Sequence, residues 1–220
     1  MERTENSSRE RILQRIRSAL TASVTKAPEQ TAAEIFSPVS NQLERFQAEC
    51  ANNNTEVIVT DDASGTAAAI VKVLGSLAPG EAFLQDAPAL RHLAANWPTE
   101  RVLRWSSEGR LAESSQVTIT LADWLVAQTG SIFVSSACGG RAASVAAPVH
   151  IVVAHETQLV PDLAVLFTQV NERGTAVNHS MLCLITGSSR TADIEKILVL
   201  GAHGPKRLVV VLQRGGAQLP

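Results

Sequence analysis

From residue 41 onward, the chain repeats two patterns of apolar and polar positions. Short runs rich in valine and isoleucine are typical of buried β-strands, and apolar residues spaced three and four apart are typical of amphipathic helices. The strand pattern covers residues 56–60, 82–85, 101–105, 116–120, 149–154, 181–185 and 208–212, and the helix pattern covers residues 41–51, 63–77, 87–96 and 160–172. This alternation predicts an α/β fold with an open, mostly parallel sheet and helices on both faces.

The segment around Gly130 is the hardest to assign, because residues 122–128 fit a helix and a strand equally well. Thr129-Gly130-Ser131 has the composition of a tight turn, and residues 132–135 form a second short apolar run. Glycine tolerates the positive φ angles that hairpin turns require. We therefore predict a β-hairpin centred on Gly130.

The N-terminal region differs from the rest of the chain. Residues 8–20 carry isoleucines and leucines on one face and arginines on the other, which predicts an amphipathic helix capped by Ser7 or Ser8. The stretch that follows, up to residue 40, has two prolines and little periodicity, as expected of a linker. We therefore divide the chain into a helix with its linker, residues 1–40, and an α/β domain, residues 41–215. The arginine face either stays in solvent or docks onto a partner.

Composition narrows the function classes. Hydrophobic residues make up 45% of the 220-residue chain and charged residues 18%, which supports a sizeable core. The 19 basic and 21 acidic residues give a net charge of −2, and aromatic residues are only 4%, so no nucleic-acid surface is expected. The chain shows no apolar run of about 18 residues, and its charged N-terminus lacks the apolar segment of a secretory signal. We therefore predict a cytoplasmic protein without a membrane span.

Cysteine and histidine spacing argues against a metal centre in this chain. Cys50, Cys138 and Cys183 are far apart and no C-x-x-C pair occurs, so neither a disulfide framework nor an iron–sulfur or structural zinc site is expected. The five histidines show neither H-x-x-x-H nor H-E-x-x-H spacing. The sequence also lacks a Walker P-loop, a G-x-G-x-x-G run and a G-x-S-x-G elbow, which removes the strongest nucleotide and hydrolase signatures.

The most informative stretch lies between the last two predicted strands. Residues 181–185, predicted as a buried strand, lead into a turn of small, hydroxyl-bearing and charged residues, 186–191, and a short helix is predicted at residues 192–200. A strand that ends in such a turn before a helix N-terminus presents backbone N–H groups to an anion. The next loop, residues 201–205, contains His203, which either contacts a phosphate or carboxylate, acts as an acid or base, or holds loop carbonyls.

We predict the ligand site within these segments and the two glycine-containing loops that precede them. Arg190 either pairs with Asp193 or makes a bidentate contact to a ligand carboxylate or phosphate. Asp193 also has a structural explanation as a helix-capping residue. Asp193 and Glu195 are two positions apart and would face different sides of a helix, so they do not form a ready catalytic pair. The candidate catalytic residues are Arg190, Asp193, Glu195 and His203. The candidate anion-binding residues are Thr129, Gly130, Arg141, Thr186, Gly187, Ser188, Ser189, Arg190, Thr191, Gly201, His203 and Gly204.

These C-terminal segments carry a family resemblance. Residues 186–195 (TGSSRTADIE), followed by GAHGP at residues 201–205, resemble the C-terminal signature of the lactate-utilisation (LUD) domain, and within it the lactate-utilisation protein C family. The opening helix motif ILQRIR and the segments around Asp123 and His150 resemble the same family. The resemblance covers roughly residues 8–213.

Two positions depart from the family pattern. Ser188 stands where proline is usual, which changes the rigidity of the turn, and Gln128 stands where an acidic residue often precedes Thr-Gly. The resemblance implies a fold like that of the glucosamine-phosphate deaminase, ribose-phosphate isomerase and CoA-transferase superfamily (the NagB/RpiA/CoA-transferase-like fold). Members of that superfamily bind sugar phosphates, CoA esters or nucleotides at strand C-termini. The resemblance supplies no catalytic residue that can be transferred.

The resemblance also implies a function: oxidation of L-lactate to pyruvate, beside a cysteine-rich subunit and an iron–sulfur subunit. The leading hypothesis is a component of a cytoplasmic lactate-oxidising assembly that contributes a ligand-binding cleft or docking surface. No cofactor is expected in this chain, and iron–sulfur clusters are expected in the partner subunits. One alternative is a stand-alone isomerase or transferase acting on a small phosphorylated, carboxylated or CoA-linked substrate. Another is a non-catalytic scaffold, since a fold does not determine a function.

Overall fold

The computed structural model describes residues 2–21, 36–95, 97, 101–109, 112–194, 197–200 and 204–215. The chain divides into two compact units, Met1–Ser37 and Pro38–Pro220. The helices are α1 (Glu2–Thr21), α2 (Gln42–Asn52), α3 (Ala63–Gly75), α4 (Pro88–Ala94), α5 (Leu163–Glu172) and α6 (Thr175–Asn178). The strands are β1 (Thr55–Thr60), β2 (Ala82–Leu84), β3 (Leu103–Trp105), β4 (Val117–Leu121), β5 (Trp124–Val126), β6 (Ser131–Ser135), β7 (Val149–His155), β8 (Leu159–Val160), β9 (Leu182–Ile185), β10 (Arg190–Ile194), β11 (Ile197–Leu200) and β12 (Arg207–Gln213).

The first unit contains α1, which starts earlier than the sequence pattern predicts. The helix already includes Ser7 and Ser8, so their predicted capping role is wrong. The exposed large apolar side chains of α1 are Ile12, Ile16 and Leu20.

Six strands of the second unit form a parallel sheet in the order β1–β12–β7–β4–β2–β3. At its centre, β12 pairs with β7 from Arg207 opposite Val149 to Gln213 opposite His155, and it pairs with β1 on its other side. Every residue of β7 is buried, as expected of a parallel strand that is covered on both faces. The structure confirms the predicted fold class.

Different elements cover the two faces of this sheet. On one face, Val209 and Val211 of β12 pack with α3 and α4, in a core that includes Ile70 and Leu90. On the other face, Val210 packs in a core shared with α2 and with a second sheet. Helices therefore lie on both faces, as predicted, and the second sheet shares the cover of one face.

The second sheet has the strand order β8–β5–β6–β9. Strands β5 and β6 are antiparallel, with Trp124 opposite Phe133, and the turn between them ends at Gly130, whose φ is +64°. The predicted hairpin is therefore confirmed. Helix α5 covers the side of this sheet that carries Trp124 and Phe133, and the Asp162 carboxylate caps that helix by accepting from the Val165 N–H (2.9 Å).

The prediction that residues 181–185 form a buried strand is only partly right. The strand β9 is present, but it lies at the edge of the second sheet, and among the described strands it pairs with β6 alone. Leu182 and Leu184 are 38% and 39% exposed. A short apolar run has the same pattern in a central strand and in an edge strand, so the sequence could not distinguish them.

The predicted helix at residues 192–200 is wrong. The described backbone forms two antiparallel strands here, with Arg190 opposite Leu200 and Ile194 opposite Ile197. The segment is rich in β-branched residues, which favour strands because their side chains restrict χ1 in a helix. The turn at residues 186–191 therefore leads into a strand, and the helix N-terminus on which the anion site was predicted is not formed.

Candidate functional site

The structure brings together two of the loops in the predicted anion site. The hydroxyl group of Ser131 is 2.7 Å from the Thr129 hydroxyl and 2.7 Å from the Thr186 hydroxyl. This chain of three hydroxyl groups connects the β5–β6 turn to the end of β9. Gly130 and Gly187 lie beside it, with φ angles of +64° and +90°.

These residues pack against the C-terminal end of α2. The side-chain amide of Asn53, the residue that follows the helix, donates to the Thr129 carbonyl oxygen (3.1 Å), and the Cys50 thiol lies 3.5 Å from the Gly130 carbonyl oxygen. A helix C-terminus presents carbonyl groups and partial negative charge, whereas an anion is favoured by a helix N-terminus. The end of α2 therefore places partial negative charge near Thr129 and Thr186. The predicted anion site required the partial positive charge of a helix N-terminus.

The two halves of the C-terminal signature also meet. The Ser189 N–H donates to the Pro205 carbonyl oxygen (2.8 Å), and a Cβ at Gly204 would stand 3.1 Å from the Cβ of Ser189. Ser188 is buried in this turn. Gly204 and Pro205 are therefore held against the turn that follows β9.

Arg141 lies away from this group. Its Nε is 3.4 Å from the hydroxyl oxygen of Ser180, which precedes β9, whereas Thr186 follows β9. A strand of this length separates the two ends by roughly 13 Å. The structure therefore does not place Arg141 beside the other predicted anion ligands.

Several predicted residues cannot be placed in this geometry. Gly201, His203 and Glu195 lie outside the described residues. For Arg190, Thr191 and Asp193 the backbone of β10 is described, without their side chains. Their roles stay predictions.

A second polar cluster, which the sequence pattern did not indicate, lies at the carboxyl ends of β1, β7 and β12. This edge is where open α/β sheets bind their ligands. We define the carboxyl-edge cluster as Thr66, His155, Glu156, Gln158 and Gln213. Thr66, His155 and Gln213 are at most 5% exposed.

Hydrogen bonds hold the carboxyl-edge cluster in one arrangement. His155 Nδ1 accepts from the Thr157 N–H (3.3 Å), so in the neutral ring Nε2 carries the proton and donates to the Gly215 carbonyl oxygen (3.3 Å). The Glu156 carboxylate accepts from the Gly215 N–H (2.9 Å), and Gln213 Nε2 donates to the Gly215 carbonyl oxygen (3.2 Å). The loop after β12 is thereby tied to the end of β7.

Charges along this edge are mostly paired. Asp86 accepts two hydrogen bonds from Arg91, whose guanidinium lies 4.3 Å from the centre of the Trp105 ring. The hydrogen bond from Arg91 lowers the pKa of Asp86 to about 2, with a further contribution from Ser107. At the other side of the edge, Arg214 pairs with Asp61 (2.9 Å). With its cations paired to carboxylates, the described edge suits a hydroxyl-bearing group better than a phosphate.

In the second unit, Cys50 and Cys138 are buried thiols and Cys183 is partly buried. Burial raises the pKa of Cys50 and of Cys138 to about 12, with smaller contributions from Glu49 and Asp123 respectively, and burial also raises the pKa of Cys183. Within the described residues, no group of three or more histidine, cysteine or acidic side chains is arranged to hold a metal ion. None of the described helices combines the length and apolarity needed to cross a membrane.

Comparison with known proteins identifies the family. A family model described as the LUD domain matches residues 43–213, which is most of the chain. The chain belongs to the LUD domain family. The match begins within α2 and ends at the last residue of β12, so every candidate residue named above from Thr129 to Gly204 lies inside the LUD domain.

Among curated proteins, this LUD domain chain is similar to two named Lactate utilization protein C. The protein of Geobacillus sp. (strain WCH70) is 28% identical over 186 residues, which is 77% of each chain. The protein of Bacillus subtilis (strain 168) is 27% identical over 180 residues, 74% of each chain. Among solved structures, a DUF162 family protein from Deinococcus radiodurans has a TM-score of 0.61 and 22% identity, covering 85% of this chain and 100% of its own. That likeness confirms the fold.

Proposed function

We propose that this chain acts in L-lactate utilisation, as a component of a cytoplasmic assembly that oxidises L-lactate to pyruvate. The observation that carries the proposal is the similarity to proteins named Lactate utilization protein C, which extends over about three quarters of both chains. An alignment of that extent relates most of this chain to those proteins, and not a single motif.

In this proposal the iron–sulfur clusters lie in partner subunits, and this chain contributes a ligand-binding cleft or a docking surface. Cluster ligation requires thiolates. The cysteine count agrees with that division, since the chain has three widely separated cysteines and no C-x-x-C pair, whereas an iron–sulfur cluster is usually held by four cysteines.

The ligand cleft is proposed at the two joined halves of the C-terminal signature. Arg190 directly follows Ser189, and His203 is two positions before Pro205, and the Ser189–Pro205 hydrogen bond holds these two segments together. An arginine and a histidine on adjacent segments suit the carboxylate of L-lactate or of pyruvate. Ser189, in the same turn, would add a hydroxyl donor.

The docking surface for an iron–sulfur or cysteine-rich partner is proposed at β9. An edge strand carries unpaired backbone donors and acceptors, and a partner strand can extend the sheet there. Leu182 and Leu184 add exposed apolar area beside that edge. The residues of β9 carry no charge, which would otherwise discourage such pairing.

A strain that lacks this chain tests the proposal. We expect it to grow normally on glucose and to fail on L-lactate as the sole carbon source, and a plasmid copy should restore growth. Affinity purification of a tagged copy from lactate-grown cells should recover iron–sulfur proteins. Normal growth of the deletion strain on L-lactate, with no iron–sulfur protein recovered, would refute the assignment.

A stand-alone enzyme is the second candidate, and the carboxyl-edge cluster favours it. This cluster combines a buried histidine, a carboxylate and two amides at the edge where α/β enzymes bind their substrates. The purified chain should then convert a small hydroxyl-bearing carboxylated substrate without any partner, and sugar phosphates and CoA esters are included in the screen as the other substrate classes. Replacing His155 with alanine should abolish that turnover. If none of these compounds is converted, the enzyme hypothesis fails, and the assembly proposal is unaffected.

A further inference from the structure

An open groove of about 620 Å³ runs between α3 and α4, on the face of the parallel sheet opposite the second sheet. Its walls are apolar and are formed by Ala67, Val71, Leu93 and Trp97. Pockets that bind small organic molecules fall in this size range. The groove is separate from the carboxyl-edge cluster and from the C-terminal signature, because none of its lining residues belongs to either.

Lys72 is the charged side chain among the described lining residues of the groove. Lys72 and His92 line it, and no acidic side chain is among the lining residues that the structure describes. Lys72 is exposed and makes no ion pair within the described residues. An unpaired ammonium group beside an apolar wall favours a ligand with an anionic head and an apolar body.

Trp97 adds a largely buried aromatic side chain to the groove. It is 9% exposed and lines the groove. Its indole nitrogen is buried, with less than 1 Å² of accessible area, so the contact that a ligand gains from Trp97 is apolar.

Small side chains keep the groove open. Ala67 and Ala68 stand on α3 one turn before Val71, so larger residues at these positions would fill the space between the two helices. Ala68 is exposed, which allows it to be enlarged without disturbing the core beneath α3.

We propose that this groove binds a medium-chain aliphatic carboxylate. The alkyl chain lies along Ala67, Val71 and Leu93, and the carboxylate is held by Lys72 with His92 beside it. L-Lactate is not the expected occupant, since its single methyl group would leave the apolar wall uncovered. The site would allow the protein to respond to a fatty acid independently of its role in lactate utilisation.

Calorimetric titration of the full chain with hexanoate, octanoate and decanoate tests the proposal. We expect the Kd to fall about two- to fourfold for each added methylene group. Decanol should bind at least tenfold more weakly than decanoate, and decyltrimethylammonium more weakly still. Decanoate should also change the fluorescence of Trp97, which can be isolated by comparison with Trp97→Phe.

Variants distinguish decanoate binding in the groove from nonspecific association of decanoate with the protein. Lys72→Glu should weaken decanoate binding at least tenfold, whereas Lys206→Glu, which changes an exposed lysine outside the groove, should leave it unchanged. Ala68→Phe should weaken binding by filling the groove, with the melting temperature unchanged. The proposal is overturned if decanoate does not bind at millimolar concentration, if Lys206→Glu weakens binding as much as Lys72→Glu does, or if decyltrimethylammonium binds as tightly as decanoate.

Discussion

The backbone carbonyl oxygen of Asn53 lies directly against Gly187, so that a Cβ at Gly187 would stand 2.3 Å from that oxygen. The φ angle of Gly187 is +90°, which side-chain-bearing residues rarely adopt. Asn53 ends α2, and Gly187 belongs to the turn after β9. This contact packs the end of the helix against the first half of the C-terminal signature, and it requires glycine.

Gly187→Ala should therefore destabilise the LUD domain by about 3 kcal/mol, because it combines backbone strain with a clash against a carbonyl group. Gly140→Ala is the matched control. Gly140 has a similar φ of +107°, but no atom lies within 4 Å of its added Cβ, so only the strain remains, about 1 kcal/mol. Urea unfolding of both variants checks the difference. Equal losses would show that the Asn53 contact does not restrain Gly187.

His150 should make stability fall in mild acid. It is fully buried on β7, its Nε2 lies 2.9 Å from the Thr120 hydroxyl, and burial lowers its pKa from 6.5 to about 3. Between these pH values the unfolded chain binds a proton that the folded chain does not, so stability is lost as pH falls below 6.5. The expected loss from pH 6 to pH 4.5 is about 2 kcal/mol.

Urea unfolding across this pH range tests the effect of His150. His150→Leu should remove about 2 kcal/mol of the pH dependence, whatever its effect on stability at pH 8, where the histidine is neutral in both states. His92→Leu changes an exposed histidine and serves as the control. If His150→Leu leaves the pH dependence unchanged, the buried ring is not the group responsible.

The parallel sheet could be predicted because its strands are buried on both faces. The valine run at residues 208–212 became β12, which is bounded by Arg207 and Gln213, and the helix pattern at residues 63–77 became α3. Such runs carry enough apolar residues for the pattern alone to identify them. The runs between Leu182 and Leu200 are too short to be identified in this way, since a short β-branched run fits an edge strand, a buried strand or a short helix.

The candidate site was predictable only in part. Thr129 and Thr186 were both named from sequence, and the structure connects them through Ser131, but nothing local to either residue shows that the C-terminal end of α2 packs there. His155 and Gln213 were missed for a related reason. Each is the last residue of a valine-rich strand, and they become neighbours only once β7 and β12 are known to be adjacent and in register.

The buried cysteines should react slowly with alkylating agents. With a pKa of about 12, Cys50 and Cys138 have a thiolate fraction of about one in ten thousand at pH 8, roughly a thousandfold below that of a free cysteine. Iodoacetamide followed by peptide mass spectrometry should label neither residue in the native protein within an hour. In urea all three cysteines should react. Rapid native labelling of Cys50 or Cys138 would contradict the prediction and would show that these thiols are accessible in the folded protein.

Substitutions on the exposed side of β9 should impair partner binding much more than folding. Replacing Leu182 and Leu184 together with lysine should lower the free energy of unfolding by only about 1–2 kcal/mol, since both side chains are more than a third exposed. The same double variant should lose co-purification of iron–sulfur partners and growth on L-lactate, because charged side chains on an edge strand discourage strand pairing. Phe167→Lys on α5 is the control, since it also replaces an exposed apolar residue, at a place outside β9. If the β9 variant still recovers its partners while the Phe167 variant loses them, the docking surface lies on α5, and β9 is only a covered edge of the second sheet.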